Sequence, residues 1–329
     1  MKPEEALDPA ETSLEEVLAT SRRISWANFG KKLLLYTPSF IYYEISNYRN
    51  VGCPFPSFSV TGDFCALRCE HCDASLLTSM VPTITPDALF EACKKVKEKG
   101  GRGVLVSGGC LSNGRVPLER FLETIAKIKK QLGLTVVVHT GLVSEEVAKG
   151  LAEAGVDGAL LDIIGDEETI KQVYHLKASV KDYEESLTLL ERYKVPMIPH
   201  VLVGLHYGEL RGELRALKII AEHNPSAVVV IALIPLPGTP MENVSPPSPS
   251  SVVRVLAAAR LMMPNVPLAL GCARPKGDHR NETDKLAIEA GVNAIAFPSE
   301  RALEKAKAFN LSYVFLPTCC SQVYIDVNR

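Results

Sequence analysis

Cys65, Cys69 and Cys72 form a CxxxCxxC array. Thiolates at this spacing can converge on one metal centre. Three thiolates on a cubane 4Fe-4S cluster leave one iron without a protein ligand, whereas electron-carrier clusters usually take four. An open iron is a place to bind something. The plainer reading is zinc, but structural zinc usually takes four ligands, often from CxxC pairs. His71 is wedged between two of the cysteines, a poor position for a fourth. The run just before, SFSVT at 57–61, reads as a short strand, so the cysteines follow a strand end and lie on a loop.

With His71 just before the last cysteine, the array resembles that of the radical S-adenosylmethionine (SAM) superfamily. The resemblance implies that the three cysteines hold a 4Fe-4S cluster whose open iron is chelated by the amino and carboxylate groups of SAM. One electron then cleaves the C–S bond and releases a 5′-deoxyadenosyl radical, which abstracts a hydrogen atom. Later motifs extend the likeness. Ser107-Gly108-Gly109 stands where the family has GGE, which contacts the SAM amino group, and Cys110 replaces the glutamate. The run from Pro199 to Glu209, with Gly204, resembles the GxIxGxxE region that backs the adenine. The IPLPGTP run, with Pro235, Gly238 and Thr239, resembles the biotin-synthase-like branch; such a rigid loop can present backbone groups to a flat base. Asp162 reads either as a partner for the SAM ribose hydroxyls or as a cap on the following helix. Biotin synthases carry an arginine touching an auxiliary cluster in the region of Arg274, whose donor fork suits a carboxylate or a cluster edge. They also carry cysteines in their third and fifth strands, where this chain has Val137 and Ile198. No catalytic residue is assigned beyond the cluster ligands.

Nine cysteines in a chain expected to be intracellular point to metal or redox chemistry rather than disulfides. Cys93 falls on the apolar face of a helix and reads as core. Cys53, Cys110, Cys272, Cys319 and Cys320 remain, several of them near strand ends. They suggest a second iron–sulfur cluster, held by Cys53, Cys272, Cys319 and Cys320 in preference to Cys110.

The elements that must position these residues alternate. Strands are expected near 57–63, 103–107, 135–139, 157–162, 197–203, 227–233, 267–271 and 293–297. Helices are expected near 86–99, 117–131, 143–154, 166–192, 208–223, 248–262, 281–290 and 300–309. The strands are β-branched apolar runs, as expected for strands buried on both faces. Eight such units favour a closed parallel (β/α)8 TIM-type barrel, with its site at the C-terminal strand ends, although the superfamily it resembles also has open six-unit barrels. Residues 1–50 read as an N-terminal helical extension, with Ser13 near its cap and an apolar patch from Trp26 to Tyr36 packed on the barrel exterior. Residues 51–310 read as the barrel, and 311–329 as a tail carrying the cysteine pair. His175 reads either as lying over the mouth or as a helix-surface histidine, the latter preferred.

The chain has 329 residues, 47% hydrophobic content and a formal charge of −2. That suits one large α/β unit and argues against a nucleic-acid surface. No apolar run has the length of a membrane span and the start of the chain lacks a signal-peptide core, so a cytoplasmic protein with no membrane partner is expected. The branch likeness, the absent biotin-synthase cysteines and the tail pair together resemble one component of the two-component lipoyl synthase type. That likeness implies sulfur insertion into an octanoylated lipoyl-carrier protein or peptide, a second cluster as sulfur donor, a sister radical SAM protein and a small reducing electron donor. The alternatives are a radical SAM mutase or metallocofactor maturase acting on a small molecule, or a non-catalytic iron–sulfur scaffold.

Overall fold

The computed structural model of the chain describes residues 1–328 apart from 40, 41, 47, 51 and 53. Cys53, expected as a cluster ligand, lies outside the described residues.

The chain opens with helices α1 (Pro3–Leu7) and α2 (Leu14–Phe29), then β1 (Lys32–Tyr36). A small antiparallel hairpin follows, β2 (Glu44–Ile45) and β3 (Tyr48–Arg49). The remaining strands are β4 (Ser57–Ser59), β5 (Val81–Pro82), β6 (Gly103–Ser107), β7 (Thr135–His139), β8 (Gly158–Asp162), β9 (Met197–Val203), β10 (Val228–Ala232), β11 (Leu268–Leu270), β12 (Ala294–Ala296) and β13 (Ser312–Leu316). β1 and these ten form one curled parallel sheet of eleven strands in the order β13-β1-β12-β11-β10-β9-β8-β7-β6-β4-β5. Each of the eight strands read from the sequence is present, as β4 and β6 to β12. Helices α3 (Pro86–Glu98), α4 (Leu122–Lys127), α5 (Glu145–Ala154), α6 (Glu167–Val173), α7 (Val180–Arg192), α8 (Glu213–Ala221), α9 (Pro249–Met262), α10 (Asp278–Glu289) and α11 (Glu300–Ala308) connect them. This is the expected TIM-type α/β fold.

Three features depart from the expected ring. First, the sheet stays open: β5 and β13 are its edges, and no ladder joins them among the described residues. β5 has two residues, one of them Pro82, which lacks the N–H a further ladder would need. Second, residues 32–36 are a strand inside the sheet, not part of a helical patch outside it. Leu33, Leu34 and Leu35 are all buried, because β12 and β13 flank the strand and both its faces are covered. Burying each leucine contributes about 2 kcal/mol, far more than helix propensity could return on a surface. Third, the helix expected over 166–192 divides into α6 and α7, with His175 at φ 54 between them. The expected cap does form: the Glu16 N–H donates to Ser13 Oγ at 3.3 Å.

The tail supplies what the open sheet lacks. β13 pairs parallel to β1, so the chain leaves it at the C-terminal mouth. It then turns inward through Cys320–Gln322 and α12 (Val323–Asp326). Cys320 and Val323 pack with Val137, Leu160, Ile198, Val229 and Ala269, the inward-facing residues of five strands. Tyr324 Oη donates to the Asp157 carbonyl at 2.7 Å, and Lys32 Nζ to the Asp326 carbonyl at 3.3 Å. Asp157 precedes β8 and Lys32 begins β1, so the tail descends from mouth to base and fills the bore. Among the described residues no helix is long and apolar enough to cross a membrane.

Candidate active site

The CxxxCxxC loop sits on the rim, after β4. Its shape is demanding: Arg68, Asp73 and Ala74 all have positive φ. Each such residue costs on the order of 1 kcal/mol, so neighbouring elements must hold the loop. The Ala66 N–H donates to the Cys110 carbonyl at 2.8 Å, and the Glu70 N–H to the Val173 carbonyl at 2.9 Å. The Met241 N–H donates to the Glu70 carbonyl at 3.3 Å, which ties in the proline-rich loop after β10. His175 Nε2 lies 2.8 Å from Glu70 Oε1. Of the two sequence readings of His175, over the mouth or on a helix surface, the first fits: the left-handed break between α6 and α7 turns it onto the cysteine loop.

Cys69, His71 and Cys72 bring their ligand atoms within 4.8 Å of one another. Hydrogen bonding with Cys69, then with His71, holds the Cys72 thiol down to about 4. Cys69 is pushed up by the same contact and by burial. Cys65 acts electrostatically on both Cys69 and Cys110. His71 Nδ1 and Tyr174 Oη are buried without a hydrogen-bond partner, and their rings lie 5.4 Å apart. Orphaned polar atoms beside three thiols fit a thiolate-bound cluster with a ligand on it.

The glycines after β6 press against this loop. A Cβ on Gly109 would stand 2.0 Å from the Phe64 carbonyl oxygen and 2.6 Å from Cys65 Cβ. No side chain fits there. The Gly109 N–H is used internally, donating to Thr61 Oγ1 at 2.7 Å. Ser107 and Gly108 lie beside it at the strand end. Asp162 ends β8, and the cap of the next helix is Asp166, which accepts from Thr169 N–H at 2.8 Å. The Asp162 carboxylate is thus left at the mouth, 4.0 Å from His139 Nε2. His139 and His200 meet edge-on at 5.8 Å, and burial lowers His200 to about 4. Gly204, at φ 73, gives its N–H to Glu213 Oε1 at 2.8 Å. Glu213 is buried and its carboxyl is raised by that burial; sequence reading did not single it out. Pro235, Gly238 and Thr239 form the loop after β10. Thr239 Oγ1 donates to the Leu236 carbonyl at 2.8 Å, while Gly238 has open space where a side chain would be.

A second group of thiols lies across the mouth. Cys272 follows β11, and Cys319 and Cys320 follow β13; all three belong to the bore cluster. Hydrogen bonding with Cys320 draws the Cys319 thiol down to about 7 and pushes Cys320 up. Burial raises Cys272, and Arg274 counteracts it. Arg274 is fully buried, and the carboxylate it meets is the protein's own: Nε donates to Asp284 Oδ1 at 2.7 Å. Its other nitrogens donate to the Gly271 carbonyl at 2.6 Å and the Phe297 carbonyl at 3.1 Å. It therefore anchors strand ends beside the thiols. Ser299 Oγ, Gln322 Nε2 and Arg280 Nε are buried without partners. Among the described residues only Cys69, His71 and Cys72 converge within 4.8 Å, so the three tail thiols are neighbours in the bore and not a closed ligand set. Cys110 is not part of this site; its thiol is acted on by Cys65, Asp162 and Cys72, at the rim. Cys93 is buried core, as read.

Residues 59–217 match the family model of the radical SAM superfamily. This chain carries a radical SAM domain. The domain is followed by a match to the Biotin and Thiamin Synthesis associated domain over residues 230–327, which takes in Cys272 and the tail. A biotin synthase from Halorhodospira halophila (strain DSM 244 / SL1) is 29% identical over 258 residues, covering 74% of this chain and 75% of the relative. One from Ruthia magnifica subsp. Calyptogena magnifica is 32% identical over 217 residues, covering 64% of this chain and 65% of the relative. The crystal structure of methylornithine synthase (PylB) superposes with a TM-score of 0.63 at 17% identity, over 92% of this chain and 89% of that one, a likeness of fold. The chain is thus similar to biotin synthases over about three quarters of its length, and the radical SAM match takes in the rim site.

Proposed function

We propose that the chain inserts sulfur into a protein-bound octanoyl group, as one component of a two-component lipoyl synthase. The observation that carries this reading is the placement of two separate thiol sites at one end of the barrel, the rim triad and the Cys272–Cys319–Cys320 group. Cys65, Cys69 and Cys72 would hold a 4Fe-4S cluster, which supplies one electron to SAM and so a hydrogen-abstracting radical. Cys272, Cys319 and Cys320 would hold a second cluster as the sulfide source, with Arg274 and Arg280 offsetting its charge. Ser107 to Gly109 lie against the triad loop where the methionine part of SAM would bind, with Asp162 toward its ribose and Pro235 to Thr239 toward its adenine.

Two features support an apolar, carrier-borne substrate. Phe64, Leu76, Leu111, Tyr207 and Leu210 are exposed large apolar or aromatic residues in the loops around this mouth. Val137 and Ile198 stand in the bore as core residues, where biotin synthases place cysteines, so the sulfur comes from elsewhere. The partners in this reading are an octanoylated carrier protein or peptide, a sister radical SAM protein and a small reductant.

The test is mass spectrometry of an octanoyl-lysyl carrier peptide incubated with the reconstituted, reduced protein, SAM and the sister protein. Sulfur gain that depends on Cys319 and Cys320 is the expected result. Deoxyadenosine formation without any sulfur gain would remove sulfur insertion and leave radical SAM chemistry standing.

A further inference from the structure

We propose that Cys110 is a fourth, displaceable thiolate for the rim site, closing the open iron of a cluster on Cys65, Cys69 and Cys72 until SAM takes its place. The inference rests on the radical SAM reading of that triad and concerns only what its open corner meets at rest.

Four observations put Cys110 beside the cysteine loop. Cys110 directly follows Gly109, which is locked against Cys65 with no room for a side chain. The Cys110 carbonyl accepts the Ala66 N–H at 2.8 Å, so its backbone is stitched to the cysteine loop. Cys110 packs on the same core as Cys65 and Cys72, and its thiol is raised by burial first and then by Cys65, Asp162 and Cys72. On its other side is Gly141, at φ 61, where a Cβ would meet the Gly114 carbonyl oxygen at 2.3 Å and Cys110 Sγ at 3.2 Å. Independently, His71 Nδ1 and Tyr174 Oη are buried at this site without partners, which points to a ligand among these thiols.

The chemistry is ligand exchange, with no electron moved. When Cys110 binds iron, its S–H proton passes to water and an Fe–S bond forms. When SAM arrives, that bond breaks, Fe–N and Fe–O bonds to the amino and carboxylate groups form, and the thiolate takes a proton back from water. A cubane with four thiolates keeps its irons, whereas one with three exposes an iron that mild oxidation removes, leaving a 3Fe-4S cluster. Cys110 thereby protects the resting cluster, and SAM must compete with it. The apparent SAM affinity falls by the fraction of chains in which Cys110 is off the iron.

The experiment is mild anaerobic oxidation of the reconstituted full chain without SAM, read as the 3Fe-4S electron paramagnetic resonance signal. The same samples are titrated with SAM. The signal is assigned to the rim by its loss in C65A/C69A/C72A. Wild type is expected to give little signal, and Cys110→Ala or Cys110→Ser a strong one at equal starting iron. The variants should also bind SAM about tenfold more tightly. Ready conversion of SAM-free wild type to the 3Fe form would overturn the proposal whatever the variants do. Equal SAM affinity in wild type and variants would overturn it too. A wild type that holds no cluster on the triad is a different result, and defeats the radical SAM reading itself.

Discussion

The rim site and the tail site use the same side chain by opposite means. The rim triad comes from one short loop that carries its own strain at Arg68, Asp73 and Ala74, with Cys69 buried and Cys65 and Cys72 partly exposed. The tail site joins residues far apart in sequence, and needs β13 to run parallel so that Cys319 and Cys320 emerge beside Cys272. Its thiols are exposed to the same degree, Cys320 buried and Cys272 and Cys319 partly exposed, and the Arg274–Asp284 pair beside them is fully enclosed. One site is preformed by its loop. The other exists only once the sheet has brought distant segments together.

Perturbations should separate the two. The largest effect is expected from C65A/C69A/C72A, which should abolish deoxyadenosine formation while the tail thiols keep their metal; chromatography of the quenched reaction decides it. Next is Arg274→Leu. Removing one partner of a buried ion pair typically costs 3–5 kcal/mol, so denaturant melts should show a loss of about that size. A change under 1 kcal/mol would mean that Arg274 does not anchor the strand ends. Gly109→Ala is expected to cost about 1–3 kcal/mol through overpacking against Phe64 and Cys65, with rim iron lost in preference to tail iron. Equal loss from both sites would erase the distinction drawn here.

A pH effect belongs to the mouth between the sites. Burial holds His200 at about 4, against an ordinary value of 6.5. The unfolded chain takes up a proton that the folded chain refuses. Stability is therefore full above about pH 6.5 and falls as pH drops toward 4, by on the order of 3 kcal/mol. His200→Asn should flatten that part of the stability curve; an unchanged slope would mean the ring is not held neutral. The smallest effect is expected from His175→Ala. Its contact with Glu70 is partly exposed, and such pairs contribute about 0–1 kcal/mol. It should loosen the cysteine loop, read as faster amide exchange at Ala66 and Glu70, with no change at the tail.

What the sequence revealed follows the same division. CxxxCxxC was legible because its geometry is local. The eight strands were legible because double-sided burial leaves β-branched runs such as VVVI at 228–231. β1 was not, because KLLLY has no alternation and abuts a real helix, and only its neighbours β12 and β13 make it a strand. Closure was preferred over an open barrel on a count of units alone, and a count says nothing about whether the last edge meets the first. Glu213 was missed and His175 left between two readings because each acts across a turn with positive φ, at Gly204 and at His175 itself, that no pattern of hydrophobicity announces. Cys110 carried a visible signal, a thiol directly after Ser-Gly-Gly, but its neighbours became plain only when the loop folded over it.

The central claim is that two thiol sites, each able to hold its own cluster, share one mouth. It is tested most directly by iron and sulfide content per chain in the anaerobically reconstituted wild type and in C319A/C320A. The account predicts about four irons at the rim plus a second complement in the wild type. The tail variant should lose only the second complement and should still cleave SAM. A wild type with one cluster's iron, unchanged in C319A/C320A, would contradict it.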